Sequence, residues 1–327
     1  MAKWIGRQQA VGIAREATRG TLVVPTLWIP KINYTLEDKV QKAVYAGNFN
    51  RIENGGDDAI AALKWAEGDL ELELSDNNIA LLLYAVFGTL SSASFSSVYK
   101  HTLTVQQSSQ PTTLSFMVND QYGSVSMAYA MAMINSFELR SVLGEPVRAA
   151  INFVARHHKD FALQTPSYTA STNKFAHQHV KVKVAANEAG LDAASRVNVQ
   201  ELTLTVDKQV IRENALGTVQ PVDILARGLR VTGKMKLTYE DRTYRDYMLD
   251  GTTKSMRIAL IRPDVTIGST NPQMQIDLAK VHFFDWQPTQ ELGEVATQEV
   301  MFEALWDSAN SRLIGTNTFV VDGTASY

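Results

Sequence analysis

Gly68-Asp-Leu-Glu-Leu-Glu-Leu74 and Gly233-Lys-Met-Lys-Leu-Thr-Tyr239 are the stretches on which the fold turns. Each places apolar residues at every second position, the period of a half-buried strand rather than of a helix. Each opens on a glycine and runs on to an aspartate, Asp76 or Asp241, and both landmarks repeat at 241 − 76 = 165 residues. A helical stretch then follows in both copies and ends in Gly-Thr, at Gly88-Thr89 and Gly251-Thr252. In the first copy Ser75-Asp76 caps a run over residues 77–87 that is apolar on several sides, and Gly88 stops it. In the second, residues 241–249 form a shorter helix ended by Gly251.

The likeness extends outward. Upstream, Thr35-Leu-Glu-Asp-Lys-Val40 resembles Thr205-Val-Asp-Lys-Gln-Val210, and each precedes a long polar stretch, 46–60 or 212–228. Downstream, residues 134–139, Gly144 and residues 147–155 loosely match residues 279–284, Gly293 and residues 295–305. Further β-rich runs lie at 99–105, 112–118, 180–184 and 256–261. The shared order of strand, loop, strand, helix and strands implies duplication of one small β unit, at 27–160 and 199–306. An N-terminal arm (1–26), a linker or insertion (161–198) and a C-terminal tail (307–327) complete the division. A period this long is no solenoid repeat. Two like domains can occupy equivalent places in a ring, so three chains can build a six-fold-like one.

Composition removes several classes of function. Of 327 residues 45% are hydrophobic and 20% charged, with a net charge of −3 and a pI near 6.1, so no basic excess favours phosphate binding. There is no cysteine, which excludes disulfides, thiolate metal sites and cysteine nucleophiles. The opening residues lack the apolar core of a signal peptide, and the longest apolar run, 79–87, is far short of the ~20 residues that span a bilayer. A soluble protein made in a cytoplasm, without membrane anchoring, is expected.

No motif for chemistry survives scrutiny. Gly228-Leu-Arg-Val-Thr-Gly-Lys-Met235 nearly spells a P-loop, but Met235 replaces the Ser or Thr, and the lysine leads into an alternating strand instead of a helix. His177-Gln-His179 would put two imidazoles on one face of a strand, yet no third ligand sits at a convincing spacing. Neither a GxSxG elbow nor an HExxH motif is present. No catalytic, cofactor-binding or metal residue is assigned. Asp69, Glu71 and Glu73 form a one-sided acidic row, and Lys234 and Lys236 occupy the matching row of the second copy. These rows are either solvated strand faces, the lining of a lumen, or partners across a strand pair. The five tryptophans are scattered and read as core or interface anchors.

One further pattern lies near the N-terminus. Val11-Gly-Ile-Ala-Arg-Glu-Ala-Thr-Arg-Gly-Thr21, then Val24-Pro25 and Trp28-Ile29-Pro30, resembles the opening of tail tube (major tail) proteins of long-tailed bacteriophages. Similarity continues through residues 68–74, the helix ending at Gly88, the strand Tyr99-Lys-His-Thr-Leu103 and residues 197–206. The resemblance implies a mainly β fold of two tandem tail-tube-like sandwich or barrel domains, each with a flanking α-helix. It implies a structural subunit of the virion, not an enzyme, without cofactor. Inner sheets would join into a barrel around a channel that holds a tape-measure protein and passes DNA without sequence-specific contact. Trimeric, pseudo-hexameric rings are favoured, with a hexamer as the alternative. Tail terminator and tail tip proteins would be further partners. Rings would stack through the N-terminal arm and the two polar loops, for which Gly47, Asn50, Asn54, Gly55 and Asp57, and Asn214, Gly217 and Asp223, are the candidate residues. The competing readings are another virion ring component, such as a tail terminator or capsid decoration, and a β-sandwich module binding a small ligand or glycan.

Overall fold

A computed structural model of the protein describes residues 6–45, 52, 58–95, 97–120, 125–169, 172–290 and 292–327. In chain order the strands are β1 (Val11–Arg15), β2 (Leu27–Ile29), β3 (Lys31–Tyr45), β4 (Asp58–Glu73), β5 (Gly88–Phe95), β6 (Val98–Val105), β7 (Leu114–Asp120), β8 (Val125–Val142), β9 (Arg148–Ala155) and β10 (Lys159–Ala162). They continue with β11 (Val180–Ala185), β12 (Arg196–Val197), β13 (Val199–Asp207), β14 (Val210–Glu213), β15 (Asp223–Ala226), β16 (Arg230–Thr238), β17 (Lys254–Ile261), β18 (Gln273–Thr289), β19 (Thr297–Ala304) and β20 (Phe319–Asp322). The helices are α1 (Asp76–Phe87) and α2 (Thr243–Leu249). The mainly β expectation holds.

Eight strands form one sheet in the order β3-β4-β9-β8-β13-β16-β19-β18, every neighbour antiparallel. Period-2 alternation gives this sheet one apolar face. Leu70 and Leu72, Ile151, Phe137 and Leu139, Leu202 and Leu204, Met235 and Leu237, and Phe302 are all buried on it. A second layer covers that face in two parts, β2-β1-β7-β8-β10 and β12-β11-β17-β18-β20-β6-β5. The long strands β8 and β18 belong to both layers. Each changes layer at a bulge, between Ile134 and Ser136 or between Phe283 and Asp285.

Helix α1 fits the sequence reading. Ser75 is its N-cap residue, and the Ser75 N–H donates to Asn78 Oδ1 at 3.0 Å. Gly88 closes the helix at φ 90°, a left-handed conformation that glycine adopts without cost. Nearly every residue of α1 is buried, which explains apolar residues on several of its sides. Helix α2 is shorter and lies on β18, with Tyr244 and Tyr247 5.4 and 6.0 Å from the Phe283 ring.

The two halves share landmarks that the sequence only hinted at. Gly68 pairs with Phe153 and Gly233 with Phe302 across the adjacent strand. A Cβ at Gly68 would lie 2.9 Å from the Phe153 ring, and one at Gly233 2.3 Å from that of Phe302. Each glycine thus opens a slot for the neighbouring ring. Both bulges sit opposite the same phenylalanines, since Ile134 pairs with Phe153 and Phe283 with Phe302. The register also corrects two matches. Thr35 opposes Asp69 and Thr203 opposes Lys234, so Thr35 corresponds to Thr203 and not Thr205. Ile134 likewise corresponds to Phe283, not to Ala279. Even-numbered slips keep every side chain on its face, so alternation alone cannot detect them. Gly233→Ala is expected to lower stability by about 1–3 kcal/mol through overpacking, with part regained in Gly233→Ala/Phe302→Leu. Thermal unfolding of both variants checks this.

Several segments differ from expectation. Residues 11–15 of the supposed arm are β1, buried and paired with β7 and β2 inside the subunit. The supposed linker supplies β11, paired with β17 as β1 is paired with β7. The tail supplies β20, which joins β18 of the second half to β6 of the first. His177 and His179 lie on a 3-10 turn rather than a strand, and the buried His179 accepts the Ala176 N–H. Gly233 and Lys234 stand inside β16, where no phosphate loop can form.

Candidate functional site: an exposed sheet face between two open edges

The second face of the eight-stranded sheet carries the residues singled out from sequence. Asp69, Glu71 and Glu73 project from β4, and Lys234 and Lys236 from β16. These rows are not neighbours. Strands β9, β8 and β13 lie between them, so the acidic and basic rows do not pair with each other. Each meets other partners. Asn152 Nδ2 donates to Asp69 Oδ1 at 2.9 Å, Arg148 lies 3.4 Å from Glu71, and Lys174 holds Glu73. Lys234 lies 2.7 Å from Glu299, Arg230 2.7 Å from Glu303 and Arg140 3.5 Å from Glu201.

Four of the face's cations, Arg140, Arg148, Arg230 and Lys234, are therefore held by carboxylates. Among the described residues Asp69, Glu138 and Asp207 have no ion pair within 4 Å, and of the cations on β16 Lys236 has none either. The paired charges are half exposed and contribute little to stability. Their effect is to spend the cations locally and leave an acidic excess on the face. A polyanion passing such a face meets no cluster of free cations to retain it.

The sheet ends in two open edges. Among the described residues β3 pairs only with β4, and the half of β18 after its bulge only with β19. Unpaired N–H and C=O groups on such edges are templates for another strand.

Of the expected stacking residues, Gly47, Asn50, Asn54, Gly55 and Asp57 lie outside the described residues. Residues 212–228, expected to be a polar loop, instead hold most of the hairpin formed by β14 and β15. Asn214 and Gly217 lie between its two strands, both exposed, with Gly217 at φ +87°. Asp223 is anchored within the subunit, its Oδ1 2.6 Å from Arg19 Nη2. Arg156 Nε and Nη2 also donate to the Pro221 and Val222 carbonyls, and the Arg212 guanidinium lies 3.7 Å from the Trp65 ring centroid.

Two other clusters carry chemical groups. Asp38, His157 and His158 bring three ligand atoms within 4.8 Å, but the Asp38 carboxylate already accepts the His158 N–H at 3.0 Å and bonds its Nδ1. Ser92, His101 and Asp322 form a chain at 2.7 and 3.1 Å with the outline of a hydrolytic triad. Here Asp322 also accepts the Tyr327 hydroxyl at 2.6 Å, and the Tyr327 ring packs edge-on over His101 at 5.2 Å. The cluster fastens the C-terminal residues to β6.

A family model described as phage tail tube protein matches residues 6–304, most of the chain. The chain belongs to the phage tail tube protein family. It is accordingly a structural component of the bacteriophage virion, found in the tail, in a family whose members assemble into tubes. Among the described residues no helix is long and apolar enough to cross a membrane. No curated protein matches the chain. The opening motif lies within the matched span. Glu16 of that motif is buried and accepts four hydrogen bonds, a role that sequence reading did not assign.

Proposed function

We propose that copies of this chain close into rings around a channel, and that the rings stack into the tail tube. The channel would hold the tape-measure protein during assembly and then pass DNA into the host without reading its sequence. Tail terminator and tail tip proteins would cap the stack. The protein would be made in the host cytoplasm and carry no catalytic function. The observation that carries this reading is the eight-stranded sheet, with one face in the core, an acidic face outside it, and an unpaired edge at each end.

The arithmetic is compatible with duplex passage. Three chains would supply about 24 strands. At ~4.8 Å spacing and ~40° tilt the circumference is about 150 Å and the backbone diameter about 48 Å. Inward side chains still leave room for duplex DNA. Closure also removes both open edges. The halves are read as one module in tandem. β1 and β11 hold equivalent places, so the units are taken to begin near residues 11 and 180, wider than 27–160 and 199–306. A trimeric ring then has six-fold-like walls.

Negative-stain microscopy of concentrated protein tests the reading. Tubes with three-fold rings are the expected result. Discrete rings that never stack would instead indicate a terminator-like component, and monomers that bind a small ligand a binding module. The acidic face makes a second prediction. Tubes of the unmodified protein should not co-sediment with duplex DNA, whereas tubes of Asp69→Lys/Glu138→Lys should, with affinity that falls steeply as salt rises.

A further inference from the structure

The joint between the halves is itself a seam between two modules, visible inside one chain. β8 and β13 pair over seven positions, from Ser136 opposite Asp207 to Val142 opposite Glu201. β18 is the counterpart of β8, fixed by the shared bulge and by Phe153 and Phe302. β3 is the counterpart of β13, fixed by Leu36 opposite Gly68 and Leu204 opposite Gly233. These counterparts are the two strands that carry the open edges. They stand at opposite ends of one sheet, so they cannot meet within a chain. Strand direction alternates across the eight strands, so β18 of one copy and β3 of the next would run antiparallel, as β8 and β13 do.

We propose that the seam between chains copies this internal joint residue for residue, with a second copy of the chain as the occupant of each edge. The proposal rests on the ring reading above and adds its register. Carrying the internal pairs over, Ser136–Asp207 becomes Asp285–Lys39, Glu138–Thr205 becomes Gln287–Glu37, and Arg140–Thr203 becomes Thr289–Thr35. On the core side, Leu139–Leu204 becomes Pro288–Leu36, with one ladder hydrogen bond fewer because proline has no N–H to donate. The register was transferred from geometry alone, yet it sets a cation against an anion at Lys39 and Asp285. Opposite charges on directly facing strand positions favour pairing, whereas a two-residue slip would move Lys39 to Gln287 or beyond the bulge.

The absence of cysteine makes the register measurable by cross-linking. Directly opposed residues have Cβ atoms ~4.5–5.5 Å apart, close enough for a disulfide after small adjustment. Glu37→Cys/Gln287→Cys, oxidised after assembly, should give a ladder of linked chains on a non-reducing denaturing gel, ending at the number of chains per ring. The shifted pairs Glu37→Cys/Asp285→Cys and Glu37→Cys/Thr289→Cys should link at least about tenfold more slowly, since diagonal neighbours are farther apart. Lys39→Glu should slow tube growth, and Lys39→Glu/Asp285→Lys should restore it. If tubes form but a shifted pair links faster, or the charge exchange fails to restore growth, the register is wrong while the tube reading stands. If the unmodified protein forms neither rings nor tubes in the microscope, both are overturned.

Discussion

Replacing Glu16 by alanine is expected to cost about 3–5 kcal/mol of folding stability, the cost of stripping a buried charged group from its partners. The Glu16 side chain is 3% exposed. Its Oε2 accepts the Gly20 N–H at 2.7 Å and the Thr113 hydroxyl at 2.5 Å. Its Oε1 accepts the Ser115 hydroxyl at 2.9 Å and the Met131 N–H at 2.8 Å. One carboxylate therefore ties β1 to β7 and to β8. Met131 stands at φ 55°, a left-handed conformation that a methionine keeps only when its surroundings hold it. Truncation leaves three buried donors and the part-buried Gly20 N–H without an acceptor. Glu16→Gln should cost nearly as much, because one end of the amide is a donor and must face donors. Glu240→Ala, at an exposed position, should change stability by less than ~0.5 kcal/mol. Denaturant unfolding with a constant m-value measures all three. Equal stability for Glu16→Ala and Glu240→Ala would show that the four-bond cluster is not what holds β1.

Glu16 also shows where sequence reading stops. The opening motif was visible, and so was its kinship with tail tube proteins. What the glutamate does was not, since only the Gly20 donor lies in the motif itself and the other three come from residues 113, 115 and 131, far along the chain. The strands read from alternation were those with one wet face, such as β4, β13 and β16, whereas β7 and β17, buried on both faces, were legible only as β-rich runs. β8 carries Met127-Ala-Tyr-Ala-Met-Ala-Met133, residues of good helix propensity, and was legible only over its last part. It is a strand because it pairs with β7, β10, β9 and β13, a tertiary cause that outweighs local preference. Asp69, Glu71 and Glu73 share one face of β4, and Lys234 and Lys236 one face of β16, as period-2 alternation requires. Which strands lie between them depends on topology, and alternation carries no topology. The strands within residues 1–26 and 307–327 went unread for a related reason. β1 and β20 are five and four residues long, and such short runs become strands only where a partner edge awaits them.

Lys208 should make stability depend on pH. It follows β13, lies 1% exposed in the core, and donates from Nζ to the Ala85 carbonyl in the last turn of α1 at 2.8 Å. Burial lowers its pKa from 10.5 to about 7, with the nearby Arg19 charge acting in the same direction. The sign follows from proton counting. Between about pH 7 and 10.5 the unfolded chain holds the proton and the folded chain does not, so raising the pH favours the folded state. Below about pH 7 both states are protonated and the penalty of a buried charge is present in full. Each pH unit within the window is worth about 1.4 kcal/mol at most. Lys208→Met keeps the volume, loses the charge, and leaves the Ala85 carbonyl one donor short, a loss of about 1 kcal/mol. The variant should therefore exceed the parent by a few kcal/mol at pH 6.5, and the difference should shrink, then reverse, toward pH 10. Denaturant midpoints measured for both proteins at matched ionic strength from pH 6 to 10 decide it. A difference that does not change with pH would mean that Lys208 stays charged throughout. The Ala85 carbonyl and the negative end of α1 would then be enough to hold a full cation in the core.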